Sequence, residues 1–198
     1  MPKSSYFSKD KLFKCLNSVI VVLISYLLFV FLFNKSLADY DLWGYLSFGR
    51  IFWEEGFPYR DVFSYTSTKP IWIYHEWLTG VFFFGLIKYL GPASLQLLRY
   101  ILAILTIYLI YKTALKKGAD SLYAFIVLAV STFIISFGYV PVRAQIFTFF
   151  FFILTLYILE SSKKTGNRNI LMWLPLIQIL WCNFHGGFIA GLGLIFLY

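Results

Sequence analysis

Seven polar side chains stand out in an otherwise apolar chain: Asp39, Asp41, His75, Glu76, Arg143, Asn183 and His185. Asp39-Tyr40-Asp41 places two carboxylates at i and i+2. Such a pair can share a divalent metal, or one acid can act as a general base while the other orients it; the plainer reading is hydrated loop acids. His75-Glu76-Trp77 follows at the end of the same polar stretch. Its histidine can move protons near neutral pH or, more simply, bond to a loop acid. Arg143, in Pro141-Val142-Arg143-Ala144-Gln145, offers the planar fork that grips phosphate, against a plain role as a snorkelling cation. His185-Gly186-Gly187 reads as a turn where glycine permits close approach, and Gly187 with Gly191 form a small-xxx-small pair suited to helix packing. Arg99 lies inside an apolar run, where its expected partner is an acid such as Glu76 or a lipid phosphate.

These groups must be positioned by elements that live in lipid. The chain has 198 residues, 60% hydrophobic, 22% aromatic and 13% charged, with a mean hydropathy of +0.76. Soluble domains carry about 25% charged residues, so a soluble globule is excluded. Disorder is excluded as well, since disordered chains are poor in aromatic and branched residues. The net charge of +8 comes in short clusters between apolar runs, a pattern of membrane orientation, so nucleic acid is not an expected partner. Cys15 and Cys182 support neither a disulfide framework nor a metal site.

Apolar runs cover 16–33, 77–90, 93–111, 121–140, 146–159, 170–184 and 186–198. The first follows Lys3, Lys9, Lys11 and Lys14 and, at 18 residues, is longer than a signal-peptide core of about 7–15. It reads as an anchored helix with a cytoplasmic N-terminus. The segment from Asn34 to Glu76 is then extracytoplasmic, and it holds six of the nine acids. Sidedness decides what 77–90 does. If it crossed, Lys112, Lys116, Lys117, Lys163, Lys164 and Arg168 would all lie outside, against the preference of basic flanks for the cytoplasm. If it does not cross, all ten clustered basic residues are cytoplasmic. Fourteen helical residues reach only about 21 Å, short of a hydrocarbon core of about 30 Å. WLTGVFFFGLIKYL is therefore expected to be a re-entrant or interfacial helix, with Lys88 snorkelling from its end.

A second interfacial helix is expected at 41–53, where Leu42, Tyr45, Leu46, Gly49, Phe52 and Trp53 follow helical spacing and Gly56 and Pro58 close it. Residues 34–92 thus form one extracytoplasmic loop with interfacial helices in a single transmembrane domain spanning 1–198. Trp72 and Trp77 read as interfacial aromatics. The final run stops at Tyr198 without a flanking charge, so the chain is expected to be the N-terminal part of a longer protein.

Five segments, D-Y-D-L-W-G-Y-L-S-F-G-R (39–50), G-F-P-Y-R-D-V-F-S-Y-T (56–66), W-I-Y-H-E-W-L (72–78), V-R-A-Q-I-F-T (142–148) and W-C-N-F-H-G-G-F (181–188), occur in that order. Together they resemble bacterial multi-pass proteins related to the C-type membrane glycosyltransferases (GT-C fold), the superfamily of the protein O-mannosyltransferases and the lipid A aminoarabinose transferase. The resemblance covers residues 16–198. It implies an all-α transmembrane helix bundle with juxtamembrane helices in the first extracytoplasmic loop. It further implies transfer of a sugar from a polyprenyl-phosphate donor to a lipid or glycan acceptor at the cell envelope. The family's loop aspartate maps onto Asp41, with Asp39 its companion. Arg143, with His185 or Arg99, would stabilise the departing lipid phosphate, and His75 and Glu76 would line the substrate site. A divalent metal on Asp39 and Asp41 stays open, because members of the fold differ on it. Trp43-Gly44-Tyr45 and Ala144 depart from the group, where a Trp pair with a His, and a Pro, are common. The alternatives are a transporter or flippase of lipid-linked substrates, which would place its ionisable groups near mid-membrane, and a non-catalytic membrane scaffold.

Overall fold

A computed structural model describes residues 38–66, 73–139 and 141–198. The expected first span, 16–33, and Trp72 lie outside the described residues. Every regular element among the described residues is helical: α1 (Tyr40–Glu55), α2 (Trp77–Leu90), α3 (Ala93–Lys116), α4 (Ser121–Tyr139), α5 (Gln145–Thr165), a short 3-10 helix (Arg168–Met172), α6 (Trp173–Phe184) and α7 (Phe188–Leu197). The all-α class follows directly.

Among the described residues, two helices are long and apolar enough to cross a membrane, α3 with 24 residues and α5 with 21. At 1.5 Å per residue they reach about 36 and 32 Å, against a hydrocarbon core of about 30 Å. Both run past the expected limits of 111 and 159. Their added turns carry Lys112 and Lys116, then Lys163 and Lys164. Lysine is a good helix former and favours the C-terminal end of the helix dipole, so the helix continues where hydropathy alone stops. The surface is correspondingly greasy. Ile126, Val127, Val130 and Ile134 on α4, Ile179 on α6 and Phe196 on α7 are all exposed.

α1 and α2 cross at two glycines, and only glycine fits there. A Cβ on Gly49 would lie 2.2 Å from the Gly80 carbonyl oxygen, and one on Gly80 would lie 2.7 Å from that of Tyr45. The seam is closed by Tyr45 edge-on to Phe83 (5.9 Å between ring centres) and by buried Phe48 against Tyr74 (4.6 Å). Trp53 bonds to the Val81 carbonyl (3.1 Å), and the Lys88 ammonium lies over its ring at 5.2 Å. α2 ends at Gly91, whose φ of +80° turns the chain into Pro92 and α3.

The remaining helices set two ends apart. At one end Lys117 pairs with Glu160 (2.7 Å), Tyr198 also bonds to Glu160, and the ammonium groups of Lys116 and Lys163 lie over the rings of Tyr157 and Tyr198. At the other, Thr148 of α5 meets His185. Thr148 and Glu160 are twelve residues apart on α5, about 18 Å along its axis. α2 starts beside His185, at the second end, while α3 finishes at the first. α2 therefore doubles back into α3 and does not carry the chain to the lysine-rich end.

Candidate functional site

Two polar clusters occupy the end away from the lysines. The first is built on the start of α1. Asp39 caps that helix, its carboxylate accepting the Tyr40 N–H (2.8 Å), and Asp41 sits in the first turn, where the helix dipole favours an anion. Arg143 comes from the junction of α4 and α5. Its backbone is held by the Ile146 N–H donating to its carbonyl (3.2 Å) and by full burial of Ala144 and Ile146. The guanidinium joins both acids: Nε pairs with Asp39 Oδ2, and an Nη nitrogen with Asp41 Oδ2 at 2.8 Å. Asp39 is mostly buried at 17% exposure, whereas Asp41 is half-exposed at 53%.

The second cluster is centred on Glu76, just before α2. The Tyr45 hydroxyl donates to its Oε2 (2.5 Å), and Nε2 of both His75 and His185 lies 3.5 Å from its Oε1. Burial, and then the bond to Glu76, push the Tyr45 hydroxyl far above the ordinary phenol range, so it stays protonated as a donor. Tyr74 is raised by burial first, then by Glu76 and Asp41. Asp41 acts on Tyr45 as well, from one helical turn away on α1, so the two clusters share one electrostatic neighbourhood.

His185 closes α6 and is the best-supported side chain of the group. The Trp181 indole N–H donates to Thr148 Oγ1 (2.8 Å). That hydroxyl lies 2.7 Å from His185 Nδ1, and Nδ1 also accepts the Gly187 N–H (2.9 Å). Burial holds the imidazole below the ordinary histidine range, with Glu76 pulling the other way and His75 adding to the depression. Neighbouring bonds tie the beginning of α2 to the end of α6. Trp77 donates to Asn183 Oδ1 (2.7 Å), and Thr79 to the Phe184 carbonyl (2.6 Å). Trp77 is thus a cross-helix donor, not merely an interfacial ring.

The sequence-derived residues are sorted accordingly. Asp39, Asp41 and Arg143 meet; so do His75, Glu76 and His185, with Asn183 joined through Trp77. Arg99 corrects the expectation of a pair with Glu76. It is fully buried in α3 with its guanidinium over the Tyr100 ring (5.3 Å), while the Glu76 carboxylate accepts the Tyr45 hydroxyl and has both imidazoles 3.5 Å from its other oxygen. Tyr45, Thr148 and Trp181 emerge as site residues that residue chemistry alone did not single out, although each stands inside one of the five quoted segments.

A shared metal does not fit the acid pair in this arrangement. Arg143 takes one oxygen of each carboxylate, and among the described residues no group of three or more His, Cys, Asp or Glu side chains is set to hold an ion. What the end of the bundle offers is carboxylates, a phosphate-capable arginine and hydrogen donors. Beside them, an apolar cavity of about 630 Å³ lies between α3, α4 and α5, with Thr106, Ile134, Gly138, Phe149 and Thr148 in its wall. No protein-family model, no curated protein and no solved structure matches the chain.

Proposed function

We propose that this chain is a multi-pass membrane glycosyltransferase with a cytoplasmic N-terminus and a GT-C-like helix bundle. It moves a sugar from a polyprenyl-phosphate donor to an extracytoplasmic lipid or glycan acceptor. The observation that carries this reading is the meeting of Asp39 and Asp41 with Arg143, about a hundred positions later, at the end of the bundle opposite the lysine-rich one. Basic flanks favour the cytoplasm, which turns the acid–arginine end outward, where polyprenyl-linked sugars are used.

The chemistry needs a base for the acceptor and a cation for the leaving phosphate. Asp41, half-exposed, takes the proton of an acceptor hydroxyl as that oxygen attacks the anomeric carbon. The bond from that carbon to the phosphate oxygen breaks, and its electron pair stays on the lipid phosphate, which Arg143 stabilises. In the resting arrangement acid and arginine neutralise each other. Arrival of the phosphate draws the guanidinium away from Asp41 and frees the carboxylate as a base. Asp39, capping α1, keeps Asp41 in register. The apolar cavity that reaches Thr148 suits a hydrocarbon chain whose head lies among these groups.

The test is transfer from a polyprenyl-phosphate sugar by the full chain in membrane vesicles. Asp41→Asn, with insertion and thermal stability retained, is expected to lower turnover about 10²- to 10⁴-fold, the usual worth of a general base. Undiminished transfer by that variant would overturn the assignment of Asp41.

A further inference from the structure

The bonds around His185 specify more than its position. Its Nδ1 receives two contacts, from the Gly187 backbone N–H at 2.9 Å and from Thr148 Oγ1 at 2.7 Å. A backbone N–H can only donate, so Nδ1 must present its lone pair. Thr148 in turn accepts the Trp181 indole N–H at 2.8 Å, which leaves its own proton free to point at the imidazole. Nothing in this chain can be rearranged cheaply. Trp181 is fully buried, and a Cβ on Gly187 would fall 2.5 Å from Thr148 Oγ1 and 2.9 Å from His185 Nδ1. The glycine is what lets threonine, histidine and backbone come together.

We propose that Thr148 and the Gly187 N–H lock His185 in the Nε2–H tautomer, making it a preset hydrogen-bond donor for a phosphate oxygen entering beside Glu76, with Thr148 as the positioning residue. The geometry leaves that donor capacity available. Nε2 stands 3.5 Å from Glu76 Oε1, beyond the 2.7–3.2 Å of a full N–H···O bond. A preset neutral donor serves a developing oxyanion without having to lose its proton. Which molecule brings the phosphate rests on the glycosyltransferase reading; the tautomer does not.

The chain has only two histidines, so ¹⁵N-histidine labelling of the full chain in nanodiscs gives spectra that His75→Gln assigns outright. The lock predicts that His185 shows an unprotonated Nδ1 and a protonated Nε2 near neutral pH, with no substrate present. A protonated Nδ1, or tautomers in comparable amounts, would overturn it in the unmodified protein, whatever any variant does. Thr148→Val, which removes one of the two donors, is expected to shift the tautomer ratio about five-fold and to move the Nδ1 resonance, with Thr148→Ser restoring both. An unchanged Nδ1 in Thr148→Val would remove Thr148 from the lock. Adding a short-chain polyprenyl phosphate is expected to move Nε2 and spare Nδ1. If Nε2 does not respond while sugar transfer proceeds, the oxyanion role fails and the transferase reading stands; if transfer is absent and Nε2 still responds, the reverse holds.

Discussion

Removing the Arg143 guanidinium is the perturbation whose size the geometry fixes best. One arm of the arginine reaches Asp39, at 17% exposure, and the other reaches Asp41, at 53%. Exposed pairs contribute about 0–1 kcal/mol, so the Asp41 arm is worth little. Breaking a fully buried pair by deleting one partner costs about 3–5 kcal/mol, because a charge is stranded. Asp39 is mostly but not fully buried, and Arg143 is about a third exposed at 37%, so Arg143→Ala is expected to cost about 2 kcal/mol. Asp39→Asn isolates the charge, since asparagine caps a helix as well as aspartate does and the bond to the Tyr40 N–H is kept. The double variant Asp39→Asn/Arg143→Ala should recover about 1–2 kcal/mol relative to the sum of the single changes, whereas Asp41→Asn/Arg143→Ala should be additive within about 0.5 kcal/mol. Equilibrium unfolding in detergent micelles compares the five variants with the unmodified protein. Strict additivity of the Asp39 and Arg143 changes would refute the claim that this pair is coupled and partly desolvated.

Two further outcomes follow from local geometry. Gly49→Ala drives a methyl group to 2.2 Å from the Gly80 carbonyl oxygen and 2.5 Å from Phe84 Cβ, and should cost about 1–3 kcal/mol by overpacking. Gly44→Ala, on the same helix with open space around it, should instead gain up to about 1 kcal/mol; both are read by thermal unfolding. His185, held below the ordinary histidine range by burial, takes up its proton more readily in the unfolded chain. Its contribution to stability is therefore complete above about pH 6.5 and declines as the pH falls through that value toward the folded pKa. Unfolding free energies between pH 7.5 and 5.5 should show that decline, and His185→Gln should flatten it; an identical slope in the variant would contradict the burial argument.

How much of this was readable in advance differs from element to element. The limits of α2 coincide with the apolar run 77–90 because Gly91-Pro92 both ends one helix and starts the next. The extensions of α3 and α5 were missed because hydropathy stops at a lysine and a helix does not. The pairing of the acids with Arg143 could be anticipated as a shared end of the bundle, though not as a direct contact. Arg99 shows the limit of such reasoning. Position along a helix gives height in the bundle but not the neighbour, and Glu76 accepts from Tyr45, 31 positions away, and faces His185, 109 positions away. Thr148 lay hidden in a run of phenylalanines, where a lone hydroxyl has no sequence signature; only the approach of α6 and the close contact at Gly187 give it a partner.

In the proposed topology the two ends of the bundle are the two faces of the membrane. Single cysteines at Tyr65 and at Lys117, in a chain with Cys15 and Cys182 replaced by serine, can be labelled in intact cells by a membrane-impermeant thiol reagent. Labelling is expected from outside at position 65 and at 117 only after the cells are opened. Labelling of both from the same side would contradict it, because the acid–arginine site and the lysine-rich end would then share one face.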